Sequence, residues 1–397
     1  MFRATQAKSH ALRNNKLYIF SINMKTTDFD YNLPEELIAQ KPMDKRDTSR
    51  LMVIDKDVEK IEHLIFFDIV DYLQEGDLVV WNNSKVFNAR LEATLEFDES
   101  TDKKLEGKKV FNSPKKVEIF LVKPTENLGV WQCLAKPGKK LHLGLQVRVA
   151  DDFIGEVLEK NEDGTVLIDF KSDDMEVRAK ANKYGSVPIP PYINREERNS
   201  SDGSQEIKDK KELQEKYQTV YASDEKEGSV AAPTAGFHFT NDLIEKLENK
   251  GVKFAEVTLH VGLGTFLPVK TENVEEHKMH GEWIELTAKN ADKINTAKSE
   301  GRRVVVVGTT TVRTLEGLVK QEGILKAYSG EINIFITPGF EFKITDALIT
   351  NFHLPKSTLL MLVSAFAGDR KFMLKYYKEA VKEKYRFYSF GDAMLIK

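Results

Sequence analysis

The sequence predicts an α/β main domain with a small antiparallel β-barrel domain inserted into it. Two changes of texture predict this. Outside the region from about Leu91 to Asp173, apolar strand-like runs alternate with helical patterns, as in α/β organisation. Inside it, short β-rich runs recur at roughly ten-residue spacing between Gly, Pro, Asn and Asp turns, which is the pattern of a small barrel or sandwich. Residues 24–90 and 174–397 are thus expected to form the main domain, residues 91–173 the barrel, and residues 1–23 an extension.

The extension carries Arg3, Lys8, Arg13 and Lys16 and no acid. That composition resembles a transit peptide, but no long apolar core or small-residue cleavage pattern accompanies it. Met24 looks like a natural beginning, so residues 1–23 are read as a disordered tail or an over-long start. "LPEELIAQKP" follows, with a proline at its first turn, acids in that turn and a proline after it, which predicts a short helix. "RDTSRLMVID" reads as a turn and a strand. "HLIFFDIVDYLQEGDLVVWNNSKVFNARL" reads as a helix stopped at Gly76, an apolar strand and a polar turn. The barrel runs are "KVEIFLVK", "VWQCLAK", "LQVRVADDFIGEVLEK" and "TVLIDF". After a proline-held extended segment and the polar loop "NSSDGSQEIKDKKE", helices ("NDLIEKLENKG", "NADKINTAKSEG", "TTVRTLEGLVKQEG") alternate with strands ("KFAEVTLHV", "RRVVVVG", "EINIFIT").

The chain has 397 residues, is 41% hydrophobic and carries a net charge of −3. A core of one large or two ordinary domains is affordable. No apolar run approaches the ~20 residues of a membrane span. The single cysteine, Cys133, excludes an internal disulfide and lies in a strand pattern, where it reads as a small buried hydrophobe. The slightly acidic balance gives no global attraction to nucleic acid, so such a partner needs a local basic patch.

Four stretches carry candidate chemistry. "SVAAPTAGFHFT" places His238 between Phe237 and Phe239, and "VTLHVGLGTF" places His260 at the end of an apolar run. The latter has Gly262 and Gly264 but neither the third glycine nor the following helix of a dinucleotide fingerprint. Its glycines suggest close backbone approach to a neighbour. "GRRVVVVGTTTVRTLEGL" is a buried strand, a glycine, three threonines and a helix. A helix N-terminus binds anions through free N–H groups and its dipole, so Thr309, Thr310, Thr311 and Arg313 are candidates for phosphate or carboxylate. N-capping by one threonine is the competing account. "TNFHLPKS" places Asn351 and His353 where a strand meets a turn.

"EEHKMHGEW" puts His277 and His280 three apart beside Glu282. The spacing is not that of a zincin and no cysteine set supports a metal. Acid–base work by His280 or Glu282 is preferred to metal binding. Basic residues with interleaved tyrosines near the C-terminus suit either a solvated helix face or RNA.

Nine stretches occur in order: "TDFDYNLPEELIAQKP", "RDTSRLMV", "YQTVYA", "VAAPTAGFHFT", "VTLHVGLGTFLPV", "EEHKMHGEW", "VGTTTVRTLE", "DALITNFHLPKSTLLMLVSAFAG" and "YRFYSFGDAMLI". Together they resemble the S-adenosylmethionine:tRNA ribosyltransferase-isomerase family of the queuosine pathway, over about Met24 to Lys397. The resemblance implies transfer of the ribosyl part of S-adenosylmethionine onto 7-aminomethyl-7-deazaguanine at the wobble position of tRNA. Adenine and methionine leave and epoxyqueuosine results. It also implies a cytoplasmic monomer that meets the anticodon arm of tRNA, with S-adenosylmethionine as co-substrate and no further cofactor. The family more often has Asp at Asn83, Arg at Lys85 and Ser at Gly281, so Lys85 lacks a bidentate fork and Gly281 lacks a hydroxyl.

Such chemistry needs a base at C5′ beside the sulfonium, an acid for adenine, anion recognition for the methionine carboxylate and exclusion of water. His238, His260, His280 and Glu282 are the expected proton carriers. Phe237, Gly262, Gly264, Thr309, Thr310, Thr311, Arg313, Asn351 and His353 are expected to bind substrate, and Lys85, Arg90, Lys356 and Arg386 to meet tRNA. Two rivals stand beside this reading. A methyltransferase needs a glycine-rich loop between its first strand and helix, and none is found. A non-enzymatic RNA-binding module needs a more basic balance.

Overall fold

A computed structural model describes residues 24–96, 115–190, 192–193, 215–262, 269, 271–279 and 281–397. Residues 1–23 lie outside the described residues. The main sheet, among the described residues, is built from β1 (Arg50–Asp55), β2 (Lys60–Ile65), β3 (Leu78–Asn82), β12 (Lys253–Leu259), β13 (Glu282–Leu286), β14 (Val304–Val307), β15 (Tyr328–Ile332), β16 (Ala347–Asn351) and β17 (Ala393–Ile396). They run in the order β15-β13-β12-β3-β14-β16-β17-β1-β2. The four central strands β12, β3, β14 and β16 are mutually parallel, and antiparallel pairs with β13 and β17 border them.

The central strands are apolar on both faces because helices cover both. Along β3 and β14 the side chains alternate. Leu78, Val80, Val304 and Val306 enter one core with helices α4 (Ala288–Ser299), α5 (Thr309–Glu322), α6 (Thr358–Phe366) and α7 (Arg370–Lys382). Val79, Trp81, Val305 and Val307 enter the other with α1 (Ile69–Tyr72) and α3 (Asn241–Asn249). Glu316 ties the first layer together. Its fully buried carboxylate accepts the backbone N–H groups of Lys343, Ile344 and Thr345 at 2.9, 3.1 and 2.9 Å and the Thr345 hydroxyl at 2.8 Å. This fixes α5 against the segment that enters β16.

Between the halves of the main sheet, β5 (Arg90–Glu96), β6 (Lys115–Pro124), β7 (Val130–Lys136), β8 (Gln146–Ala150), β9 (Phe153–Lys160) and β10 (Val166–Asp169) close into an antiparallel barrel. The α/β domain with an inserted antiparallel barrel is therefore the fold observed. Alternate residues of these strands, among them Leu91, Ile119, Trp131, Val147 and Ile168, fill the barrel's core, and helix α2 (Asp174–Tyr184) adds Val177 and Ala181. Cys133 sits in that core with no exposure, and burial pushes its thiol pKa far up. It is the inert hydrophobe expected.

Two local expectations fail. "LPEELIAQKP" forms a single 3₁₀ turn, Glu35–Leu37, because Leu37 and Ala39 use their backbone groups to bond Phe387 instead of continuing a helix. The strand expected over "EINIFIT" lies earlier, at Tyr328–Ile332, where β13 offers a ladder.

Candidate active site

All four central strands end at the same edge of the sheet. In open α/β sheets ligands bind outside the carboxyl ends of parallel strands. Here β3 ends at Asn82, β12 leads into His260, β14 leads through Gly308 into α5, and β16 leads into Asn351 and His353. A cavity of about 220 Å³ opens at this edge, lined by Ala232, Pro233, Thr309, Thr310, Asn351, His353 and Tyr388 among others.

Gly308 makes the turn from β14 into α5 with φ +86°, a conformation glycine adopts freely. Its N–H donates to the Ile349 carbonyl at 2.8 Å, holding the helix start beside β16. The three threonines then divide their work. The Thr311 hydroxyl donates back to the Val307 carbonyl at 2.6 Å and is committed to the helix. Thr309 and Thr310 line the cavity, and the buried Thr310 Oγ1 has no hydrogen-bond partner among the described residues. The open end of α5 and this hydroxyl therefore face the same space, a suitable arrangement for an anion.

Asn351 crosses the floor. Its Oδ1 accepts the Thr234 hydroxyl at 3.0 Å, and its Nδ2 donates to His238 Nε2 at 3.1 Å. His238 in turn donates from Nδ1 to Ser49 Oγ at 2.7 Å. The ring packs 5.0 Å from Phe66 and lines a small cavity of about 40 Å³ behind Asn351, not the larger one. Burial, reinforced by the charges of Arg386 and Arg46, pushes its pKa down to about 3. The imidazole is neutral with both nitrogens engaged. Phe237 belongs to the same rear wall, stacked on Phe390 with centroids 6.0 Å apart.

His353 is held as firmly. Its backbone N–H donates to the Tyr377 hydroxyl at 3.1 Å, that hydroxyl meets Nδ1 at 3.1 Å, and Nε2 faces Thr350 Oγ1 at 3.3 Å. Burial lowers its pKa to about 3. His260 differs. Its ring stacks on Trp283 at 4.7 Å over Gly228, where a Cβ would stand 2.3 Å from the imidazole. Its buried Nε2 has no hydrogen-bond partner among the described residues. Burial and then the Arg178 charge lower its pKa to about 4. Glu282, at the start of β13, forms a buried ion pair with Arg313 of α5. The buried Arg313 Nε and Nη2 groups lack hydrogen-bond partners among the described residues.

The chain matches the queuosine biosynthesis protein family over residues 26–396. The S-adenosylmethionine:tRNA ribosyltransferase-isomerase of Thermotoga petrophila is 49% identical over 94% of this chain and all of its own length. That of Clostridium kluyveri is 48% identical with the same coverage. The chain belongs to this family. The crystal structure of the Thermotoga maritima S-adenosylmethionine tRNA ribosyltransferase matches with a TM-score of 0.50 and 38% identity, covering 93% of this chain and all of that one.

Other expected site residues of this family member lie elsewhere. His280 and Gly264 fall outside the described residues. At Gly262 a Cβ would meet nothing within 4 Å among the described residues. The four cations assigned to tRNA are engaged within the protein. Lys85 pairs with Asp224 at 2.7 Å, Arg90 with Glu118 at 3.1 Å and Lys356 with Asp30 at 2.8 Å. Arg386 donates to the carbonyls of Lys41 at 3.3 Å and of Phe390, so it braces a turn. Among the described residues no group of three His, Cys, Asp or Glu could hold a metal, and no helix is long and apolar enough to cross a membrane.

The departures from the family pattern also find places. Asn83 donates from Nδ2 to Glu256 at 3.2 Å and accepts the Thr258 hydroxyl at 2.7 Å. Gly281 lies where a Cβ would stand 2.9 Å from the Glu331 carboxylate. Sequence reading missed Ser49, Thr234 and Tyr377, which orient the site from far along the chain. Of these Thr234 lies inside "VAAPTAGFHFT" and Ser49 inside "RDTSRLMV", while Tyr377 lies in none of the nine stretches.

Proposed function

We propose that this protein transfers and isomerises the ribosyl moiety of S-adenosylmethionine onto 7-aminomethyl-7-deazaguanine at the wobble position of tRNA. The products are epoxyqueuosine in tRNA, adenine and methionine. The observation that carries the site assignment is the cavity at the strand ends, where the open N-terminus of α5 and the unpartnered Thr310 hydroxyl converge. That end takes the methionine carboxylate, through backbone N–H groups and the helix dipole. Asn351 turns the remaining N–H of its amide toward the ribose, and His353, whose two ring nitrogens are held by Thr350 and Tyr377, shapes the wall beside it.

His238 acts as a positioning residue for Asn351, since both of its nitrogens are already engaged. His260 becomes the described histidine best suited to take a proton, because its buried Nε2 has no hydrogen-bond partner among the described residues and burial keeps the ring neutral. The buried Glu282–Arg313 pair supports the start of α5. The enzyme is proposed to work as a cytoplasmic monomer that docks the anticodon arm, with S-adenosylmethionine as co-substrate and no further cofactor. Because the assigned cations are internally paired, docking must use cations released from these pairs or others on the surface. The test is adenine release. Free adenine should appear only when S-adenosylmethionine meets tRNA carrying the aminomethyl deazaguanine. Adenine formed equally with unmodified tRNA would overturn the substrate assignment.

A further inference from the structure

Tyr388 is a second unusual group in the cavity wall. Its backbone lies at φ +74°, in the left-handed region that a bulky side chain enters at a cost of about 1 kcal/mol or more. The turn around it imposes this pose. Tyr388 N–H donates to the Phe352 carbonyl at 3.1 Å, and its carbonyl accepts Gly391 N–H at 2.9 Å. Asp392 closes the turn by accepting Arg386 N–H at 2.7 Å. At Gly391 a Cβ would meet the Arg386 carbonyl at 2.5 Å, so the turn is tight. The Tyr388 ring packs 4.1 Å from Tyr192, whose hydroxyl bonds Ser389, and all three residues line the cavity. The Tyr388 hydroxyl is buried and has no hydrogen-bond partner among the described residues. An orphaned buried hydroxyl costs about 1–3 kcal/mol. Phenylalanine would avoid that cost while filling the same space. Burial raises the phenol's pKa far above its ordinary value, so the group stays a neutral donor and acceptor.

We propose that Tyr388 is a substrate-contacting residue whose hydroxyl hydrogen-bonds the adenosyl part of S-adenosylmethionine and so helps select that ligand. The inference rests on the proposed assignment of the cavity to S-adenosylmethionine. An uncharged donor and acceptor suits the hydroxyls and ring nitrogens of an adenosyl group. The carboxylate is served by the cationic end of α5.

The experiment is isothermal titration of the wild-type protein and Tyr388→Phe with S-adenosylmethionine and with 5′-methylthioadenosine, which lacks the amino-acid end. The dissociation constants of both ligands should rise by about 5- to 150-fold in the variant. Its thermal midpoint should stay level or rise, because a buried orphan has been removed. Unchanged affinity for S-adenosylmethionine overturns the inference while leaving the cavity assignment standing. A loss confined to S-adenosylmethionine, with methylthioadenosine unaffected, overturns the adenosyl assignment. A loss matched by a fall of several degrees in thermal midpoint also overturns it, since packing then explains the effect. Wild-type protein that binds neither ligand defeats the cavity assignment itself, and the inference falls with it.

Discussion

Asn351→Ala is expected to lower kcat by about 100-fold or more, the usual scale for removing one preorganised donor from a reaction site. His238→Ala should produce a loss of similar or smaller size. The double variant should be no slower than Asn351→Ala. The reason is geometric. His238 Nε2 accepts from Asn351 Nδ2 at 3.1 Å, and His238 is walled off from the larger cavity. Its contribution therefore passes through the orientation of the amide, and two residues acting as one unit lose their effects non-additively. His238→Ala also strips Ser49 and Asn351 of a partner, so some stability is lost with the activity. Steady-state kinetics on the three variants decide the matter. Losses that multiply in the double variant would make His238 an independent participant and defeat its positioning role.

The second large effect is on stability. The folded protein should lose about 2 kcal/mol for each of His238, His353 and His260 when the pH falls from 8 to 5. Their pKa values are pushed down to about 3, 3 and 4, while an unfolded histidine titrates near 6.5. Between those values the unfolded chain binds protons that the folded chain refuses. Stability is therefore complete above about pH 6.5 and is lost as the pH drops below it. The window lies above the ordinary carboxylate range, so the histidines dominate it. Denaturant titrations at several pH values should show the decline beginning near pH 6.5. Equal stability at pH 7 and pH 5 would mean that these rings are not held neutral.

The sequence exposed the architecture because its signals are local. The apolar run "RRVVVVG" and its glycine predict β14 and the turn into α5, and both occur. Evenly spaced β runs predict the barrel. "GTTT" and "TNFH" are each legible as candidate binding stretches, but their meeting at one cavity is not. What stayed hidden depends on distant partners. His238 reads as a proton carrier until Ser49 and Asn351, 189 and 113 residues away, occupy its two nitrogens. Arg386 reads as a free cation until the turn it braces is seen. The proline-bracketed "LPEELIAQKP" reads as a helix because nothing local announces its bonds to Phe387. Tyr388 lies inside "YRFYSFGDAMLI", but neither its left-handed backbone nor its orphaned hydroxyl is written in residue type.

The central claim is that the ribosyl group, not the methyl group, leaves S-adenosylmethionine for tRNA. The most direct measurement follows two labels, one on the ribose and one on the methyl, during reaction with tRNA carrying 7-aminomethyl-7-deazaguanine. The account predicts ribose label in the tRNA and all methyl label in free methionine. Methyl label in the tRNA, with the ribose label left in S-adenosylhomocysteine, would contradict it.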